Sequence, residues 1–321
     1  MMKSKLLLIP ALLVFVLAPQ AQAQSYPTKA IRFLVGFPPG GTNDLVARIL
    51  AQRVGEILGQ QVAVDNRGGA NTAIATEIAA RAPADGHTIL LNSTGHTTNP
   101  SLIKLNFDSI RDFAFITLAA QSVNVLVVHP SLPAKNVQEL ITLSKRRPGE
   151  INYGSSGVGT SVHLSGELFQ FMTGVRWVHI PYKGGSASMS DLLAGQLQIY
   201  FGNLPTLYPQ AQMGKLRALA TTGSKRVAAA PNLPTVAEAG VPGFEVSTWY
   251  GVSAPAKTPK PVTDRLHQAF VQALQTPETR DKLISAGADP VGNTQEQYAA
   301  FIQDEIAKWA KVIKAAGIKG E

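Results

Sequence analysis

Short unbroken apolar runs alternate along this chain with longer stretches in which apolar residues recur every three or four positions. The run at 31–36 reads as a buried strand. After Phe37-Pro38-Pro39-Gly40-Gly41, residues Leu45, Val46, Ile49, Leu50, Val54, Ile57 and Leu58 fall on one helical face. Thr42 or Asn43 can cap that helix and Gly59 can end it. A strand at 62–64, a Gly68-Gly69 loop, a helix over 71–81 and a strand at 87–92 follow. This βαβαβ order predicts an open parallel sheet.

A second α/β series starts with a strand at 123–128. Asn136-x-x-Glu139 is a capping-box pattern, and the helix it opens runs to about Arg146. Strands at 151–153, 176–180, 197–201 and 216–221 alternate with helices over 160–172, one ending near Gly195, and one after Pro205. A strand at 245–253 and a proline-rich loop at 255–261 lead to helices over 262–275, 277–286 and 295–316. The last carries Tyr298, Phe301, Ile302, Ile306, Trp309, Val312 and Ile313 as a stripe, read as core packing. No flexible linker separates the two series, so crossover strands near 120–124 and 247–251 must join them. The expected division is residues 24–121 plus 250–321 as lobe I and 122–249 as lobe II.

The first 23 residues stand apart. Lys3 and Lys5, an apolar run at 6–17 and Ala21-Gln22-Ala23 have the layout of a secretory signal peptide. Export, to the periplasm of a cell with two membranes, is the expectation, with a soluble mature chain. The 321 residues contain no cysteine, which removes disulfide scaffolds, thiolate metal sites and thiol catalysis. The formal charge of +8 falls by the two leader lysines on cleavage. The remaining cations are scattered, and Lys145-Arg146-Arg147 ends a predicted helix, where cations suit the dipole. Nucleic acid is therefore not an expected partner, and the charge reads as a mild attraction for small anions.

The chemistry concentrates where strands end. Five times an apolar strand runs into a loop of Gly, Ser, Thr, Asn or Pro, at 37–43, 67–71, 93–98, 155–161 and 183–186. Ligands of parallel α/β sheets bind at strand carboxyl ends, and a helix start there offers unpaired N–H groups to an anion. The candidate ligand contacts are Phe37, Pro39, Gly40, Gly41, Thr42 and Asn43, then Asn71, Ser93, Thr94 and His96. From the second series come Ser155, Ser156, Gly157, Gly159, Thr160, Ser161, Lys183, Gly184 and Gly185. Asn203, just past the 197–201 strand, and Trp249, at the return crossing, complete the set.

Several residues keep two readings. His96 and Lys183 each serve equally well as a ligand contact or as an ordinary loop residue. Trp249 lines the cleft or packs in a core, and His163 packs locally or takes part. Asp44 is most simply a favourable charge near a helix's positive end.

Enzyme signatures are incomplete. Gly157-Val158-Gly159 begins a dinucleotide fingerprint, but Val162 stands at the third glycine position. No G-x-x-x-x-G-K-[ST] occurs, and Ser161 lacks the second glycine of a nucleophile elbow. The six histidines show no metal-ligand spacing, so neither metal nor cofactor is expected. An exported hydrolase using Ser156 or Ser161 with His163 remains the enzymatic alternative.

Taken together, the landmarks resemble one family throughout the chain beyond the leader. They are Gly36-Phe37-Pro38-Pro39-Gly40-Gly41 with Asp44, Asp65-Asn66-Arg67, Asp85-Gly86-His87-Thr88, Asn99-Pro100-Ser101-Leu102 and Tyr153-Gly154-Ser155-Ser156-Gly157. His163-Leu164-Ser165-Gly166-Glu167, Pro181-Tyr182-Lys183-Gly184-Gly185 and Trp249-Tyr250-Gly251 extend the match. The sequence resembles the Bug-type receptors, the substrate-binding proteins of tripartite tricarboxylate transporters.

That resemblance implies a type II periplasmic-binding-protein fold, two α/β lobes with a cleft and crossover strands. It implies a receptor for small carboxylates, and the expectation is a monomer that captures a small mono- or dicarboxylate, aromatic acids included, and delivers it to membrane permease subunits. A ligand sensor for a membrane kinase is the alternative with the same receptor physics. Carried over by position, residues 37–43 with Ser93-Thr94 form one jaw, and residues 155–161 with Lys183-Gly184-Gly185 the other. Two departures bear on the ligand. Gly68-Gly69-Ala70-Asn71-Thr72 is less glycine-rich than in many relatives, and Gln198 and Gly202 stand where relatives often carry acids. Fewer carboxylates favour a plain carboxylate over an amino acid.

Overall fold

The computed structural model describes residues 26–227 and 229–319; the expected leader lies outside them. In the first lobe β1 (Ile31–Val35) lies between β2 (Val62–Asn66) and β3 (Thr88–Asn92), all parallel. β1 is buried almost throughout because helices cover both faces of this sheet. One of them is α1 (Thr42–Leu58), whose Val46, Leu50 and Val54 face the core and whose end is a left-handed Gly59.

The segment expected to open the next helix does something else. Ala70, Asn71 and Thr72 all have positive φ, at 45°, 45° and 78°, and α2 (Ala73–Ala80) starts only after them. Left-handed backbone costs a residue with a Cβ about 1–2 kcal/mol. Asn99 offsets this by donating its side-chain amide to the carbonyls of Ala70 at 3.3 Å and Asn71 at 2.8 Å. The stretch at 93–98, expected as a loop, is instead the start of α3 (Thr94–Leu102).

β4 (Phe113–Val128) is a single 16-residue strand, longer than the 123–128 expected. Its first part, to Val123, pairs with the returning strand β9 (Ser247–Pro255), and from Asn124 onward it pairs in a second sheet. Between these crossings the chain builds α4 (Val137–Arg146), β5 (Asn152–Ser155), α5 (Ser161–Thr173), β6 (Val178–Pro181), α6 (Gly185–Leu193), β7 (Ile199–Asn203), α7 (Leu204–Gln212) and β8 (Arg217–Thr221). The Asn136 side chain caps α4 by accepting from the Glu139 N–H, but Glu139 reaches back to the Lys135 N–H instead of closing the box. The strand order is β2-β1-β3-β9-β4-β7-β5-β6, with β8 also on β4. The sheet is thus mixed: parallel within each lobe, antiparallel where β9 and β4 carry the chain across.

After β9 come α8 (Lys260–Gln275), α9 (Pro277–Ser285), a two-residue β10 (Asp289–Pro290) against β4, and α10 (Gln295–Ala316). α10 opens with a full capping box between Thr294 and Gln297. Its apolar stripe serves two cores. Tyr298 and Ile302 pack with Leu34, Leu90 and Phe115 of the first lobe, whereas Trp309 and Ile313 pack with the second-lobe core around Val125 and Phe201. No helix among the described residues is long and apolar enough to cross a membrane.

Candidate ligand-binding cleft

Five helices begin at the gap between the lobes. Gly41 precedes α1, Ser93 α3, Thr160 α5, Gly184 α6 and Asn203 α7. All five positions line one cavity of about 610 Å³. Only Thr160 caps its own helix through its side chain, accepting from the His163 N–H; the other four starts have no side-chain cap. The first intrahelical donor of α1 is Leu45 and that of α5 is Leu164. The N–H groups of Thr42, Asn43, Ser161 and Val162 therefore have no acceptor within their helices, and these four residues lie on the cavity wall.

Among the described residues the wall carries no Asp, Glu, Arg or His, and Lys183 is its one basic side chain. Helix starts each bring about half a positive charge, so the field in the cavity favours an anion. Asp44, one residue inside the wall, does not cancel it. Burial alone would raise its pKa, but bonds from Arg48 at 3.0 Å and the Gly40 N–H at 3.0 Å, with Asn66, hold the carboxyl below its ordinary value. Phe37, Pro38, Pro39, Val162, Met189 and Leu207 supply an apolar portion to the same wall.

The lobes meet across this cavity. Asn203 donates its amide to Thr42 Oγ1 and Thr98 donates its hydroxyl to the Gly159 carbonyl at 3.0 Å; beside them Ser161 shares a hydroxyl bond of 2.6 Å with Thr248 on the returning strand. A Cβ on Gly159 would crowd Asn71 and Leu102, so this glycine allows the first lobe to come close.

Of the sequence candidates, Phe37, Pro39, Gly40, Gly41, Thr42, Asn43, Asn71, Ser93 and Thr94 come to the cavity from one side. Ser156, Thr160, Ser161, Lys183, Gly184, Gly185 and Asn203 come from the other. Five do not line it. His96 lies on the buried face of α3, its Nδ1 3.0 Å from the Asn92 amide and its Nε2 2.8 Å from the Ser109 carbonyl, against Phe113. Burial lowers its pKa to about 4 and keeps it neutral. Trp249 is wholly buried between Tyr298 and Phe301. Ser155, Gly157 and Gly159 shape the loop behind Ser156 and Thr160 without reaching the cavity.

The serine–histidine pairing of the hydrolase alternative does not form. Ser161 is engaged with Thr248, and His163 Nδ1 accepts from the Gly159 N–H at 3.1 Å. The wall residues that sequence reasoning left out include Gly95, Met189, Tyr200, Thr206, Leu207 and Thr248. Gly95 alone carried a signal, lying inside the Ser93-Thr94 loop; the others sit within helices and strands whose inward face depends on how the lobes close.

Residues 46–318 match a protein family described as the tripartite tricarboxylate transporter family receptor. BugT of Bordetella pertussis is 37% identical over 309 residues, covering 94% of each chain. The solved structure of Rpa4515 from R. palustris with adipate superposes with a TM-score of 0.87 at 38% identity, covering 92% of this chain and all of that one. MatC from Rhodopseudomonas palustris with bound malate gives 0.82 at 28% identity, over 90% of this chain and 100% of that one. With that match running from α1 to the end of α10, the chain belongs to the tripartite tricarboxylate transporter receptors of the Bug type, solute-binding proteins with the two-lobed periplasmic-receptor fold and not enzymes.

Proposed function

We propose that the cleft captures a small carboxylate and that the closed protein delivers it to the membrane permease subunits of a tripartite tricarboxylate-type transporter. The observation that carries this reading is the convergence of five helix starts, four without side-chain caps, on a wall free of acidic side chains. A carboxylate accepts from N–H groups of both lobes, and this makes the closed state the better binder. Adipate in Rpa4515 and malate in MatC are of this class. With no carboxylate on the wall, an ammonium group has no ionic partner, so plain mono- or dicarboxylates, aromatic ones included, are preferred over amino acids. Calorimetric titration with adipate, malate, benzoate, aspartate and glutamate tests this. A plain acid should bind at least tenfold more tightly than either amino acid; the reverse order contradicts the reading.

The leader at 1–23 directs export to the periplasm, and the receptor acts as a monomer. The lobes divide at 24–121 with 250–321 against 122–249. The change of sheet partner along β4 at Val123 and Asn124 supports that division, with the far half of α10 reaching over to the second core.

A further inference from the structure

The second-lobe jaw rests on a pair of imidazoles, His163 buried and His179 half-buried, that touch no part of the cavity. His163 and His179 pack with ring centroids 4.2 Å apart beneath the loop between β5 and α5. His179 Nε2 is 2.6 Å from Ser155 Oγ at the loop's start, and His163 Nδ1 accepts from the Gly159 N–H near its end. Within the loop, Ser155 Oγ accepts from the Gly157 N–H and Thr160 donates its hydroxyl to the Gly157 carbonyl, while from outside it the Tyr182 N–H reaches the Ser155 carbonyl and Thr98 the Gly159 carbonyl. Gly157 and Gly159 hold φ of 128° and 77°, which gives the stretch a backbone that collapses readily if its tethers go.

The histidines are themselves held from below. Tyr153 stacks on both rings and donates its hydroxyl to Glu167, which also accepts from Gln170 at 3.0 Å. Tyr153 and Glu167, whose carboxylate lies 3.8 Å from His163 Nε2, are the titratable groups packed against the pair.

We infer that His163 and His179 are positioning residues for ligand capture: they fix both ends of the Ser155–Thr160 loop and so aim Ser156, Thr160 and the start of α5 into the cleft. Each ring does this with one nitrogen lone pair or N–H, so a side chain that returns the same polar atom should substitute. Asn places an amide atom near Nδ1, and Gln places one near Nε2. The inference rests on the carboxylate-receptor reading for its functional half, but the loop geometry is measurable without ligand.

The test compares His163→Leu with His163→Asn and His179→Leu with His179→Gln, by amide hydrogen exchange over residues 155–162 and by calorimetry with adipate. The leucine variants should raise loop exchange at least tenfold and weaken adipate binding at least tenfold. The asparagine and glutamine variants should stay within about threefold of the parent in both. If a leucine variant does not fold, Ser155→Ala cuts the His179 tether from the other side and should show the same exchange. Unchanged loop exchange on cutting these tethers, or isosteres no better than leucine, overturns the inference. Failure of the parent protein to bind adipate while the exchange pattern holds would count against the ligand reading and leave the positioning role standing.

Discussion

At the residue scale, two positions make the dependence of the cleft on close packing measurable. A Cβ on Gly95 would fall inside van der Waals contact of the Asn71 carbonyl oxygen and the Thr72 hydroxyl, in a segment already held left-handed. Gly95→Ala is expected to cost about 1–3 kcal/mol of stability, as overpacking does, and to weaken ligand binding by displacing Asn71. Urea unfolding checks the first, and an unchanged midpoint would mean the segment yields freely. His96 makes a second case, through pH. Its folded pKa, near 4 because of burial, lies below the 6.5 of an exposed histidine, so the unfolded chain takes up the proton first. Stability is therefore full above about pH 6.5 and falls by about 1.4 kcal/mol per pH unit between 6.5 and 4 on account of this side chain. His163 and His179, lowered chiefly by burial to about 3 and about 4, add loss of the same sign. Unfolding at pH 7, 6 and 5 should show a shallower decline in His96→Asn, even though that variant starts from a lower stability.

At the scale of elements, helix starts matter more than helix bodies. Thr160 is the one side-chain cap among the five starts at the cleft, so Thr160→Ala should cost about 1 kcal/mol of stability. Thermal unfolding and calorimetry together separate that loss from the loss of affinity. The elements with strong periodicity, α1 and α10 above all, were legible in the sequence to within a residue. α3 was not. Thr94-Gly95-His96-Thr97-Thr98-Asn99-Pro100 has no apolar period, and the helix forms because its buried polar groups find distant partners. His96 meets Ser109, Thr98 meets Gly159, and Asn99 meets Ala70 and Asn71. The left-handed turn at 70–72 was illegible for the same reason, since Asn99 holds it from 28 and 29 residues away. The loops around the cleft were readable because small and hydroxyl residues at strand ends announce themselves. Met189 and Leu207 look like ordinary core residues until the lobes are placed.

For the whole molecule, β4, β9 and α10 link two separately cored lobes. Trp309, fully buried with its Nε1 donating to Glu305 at 2.8 Å, fixes the end of α10 in the second core. Trp309→Ala should cost about 3–5 kcal/mol, read by urea unfolding. Motion about the crossings must leave those cores intact while breaking the contacts between Thr42 and Asn203 and between Thr98 and Gly159. Small-angle scattering should accordingly record compaction on addition of saturating ligand.

The most direct test of an anion held by helix starts is calorimetry with adipate against its uncharged diamide. The two are close in size and shape, and only the acid carries charge for the convergent N–H groups. At least tenfold tighter binding of the acid is the predicted result. Equal binding of acid and amide would contradict the account.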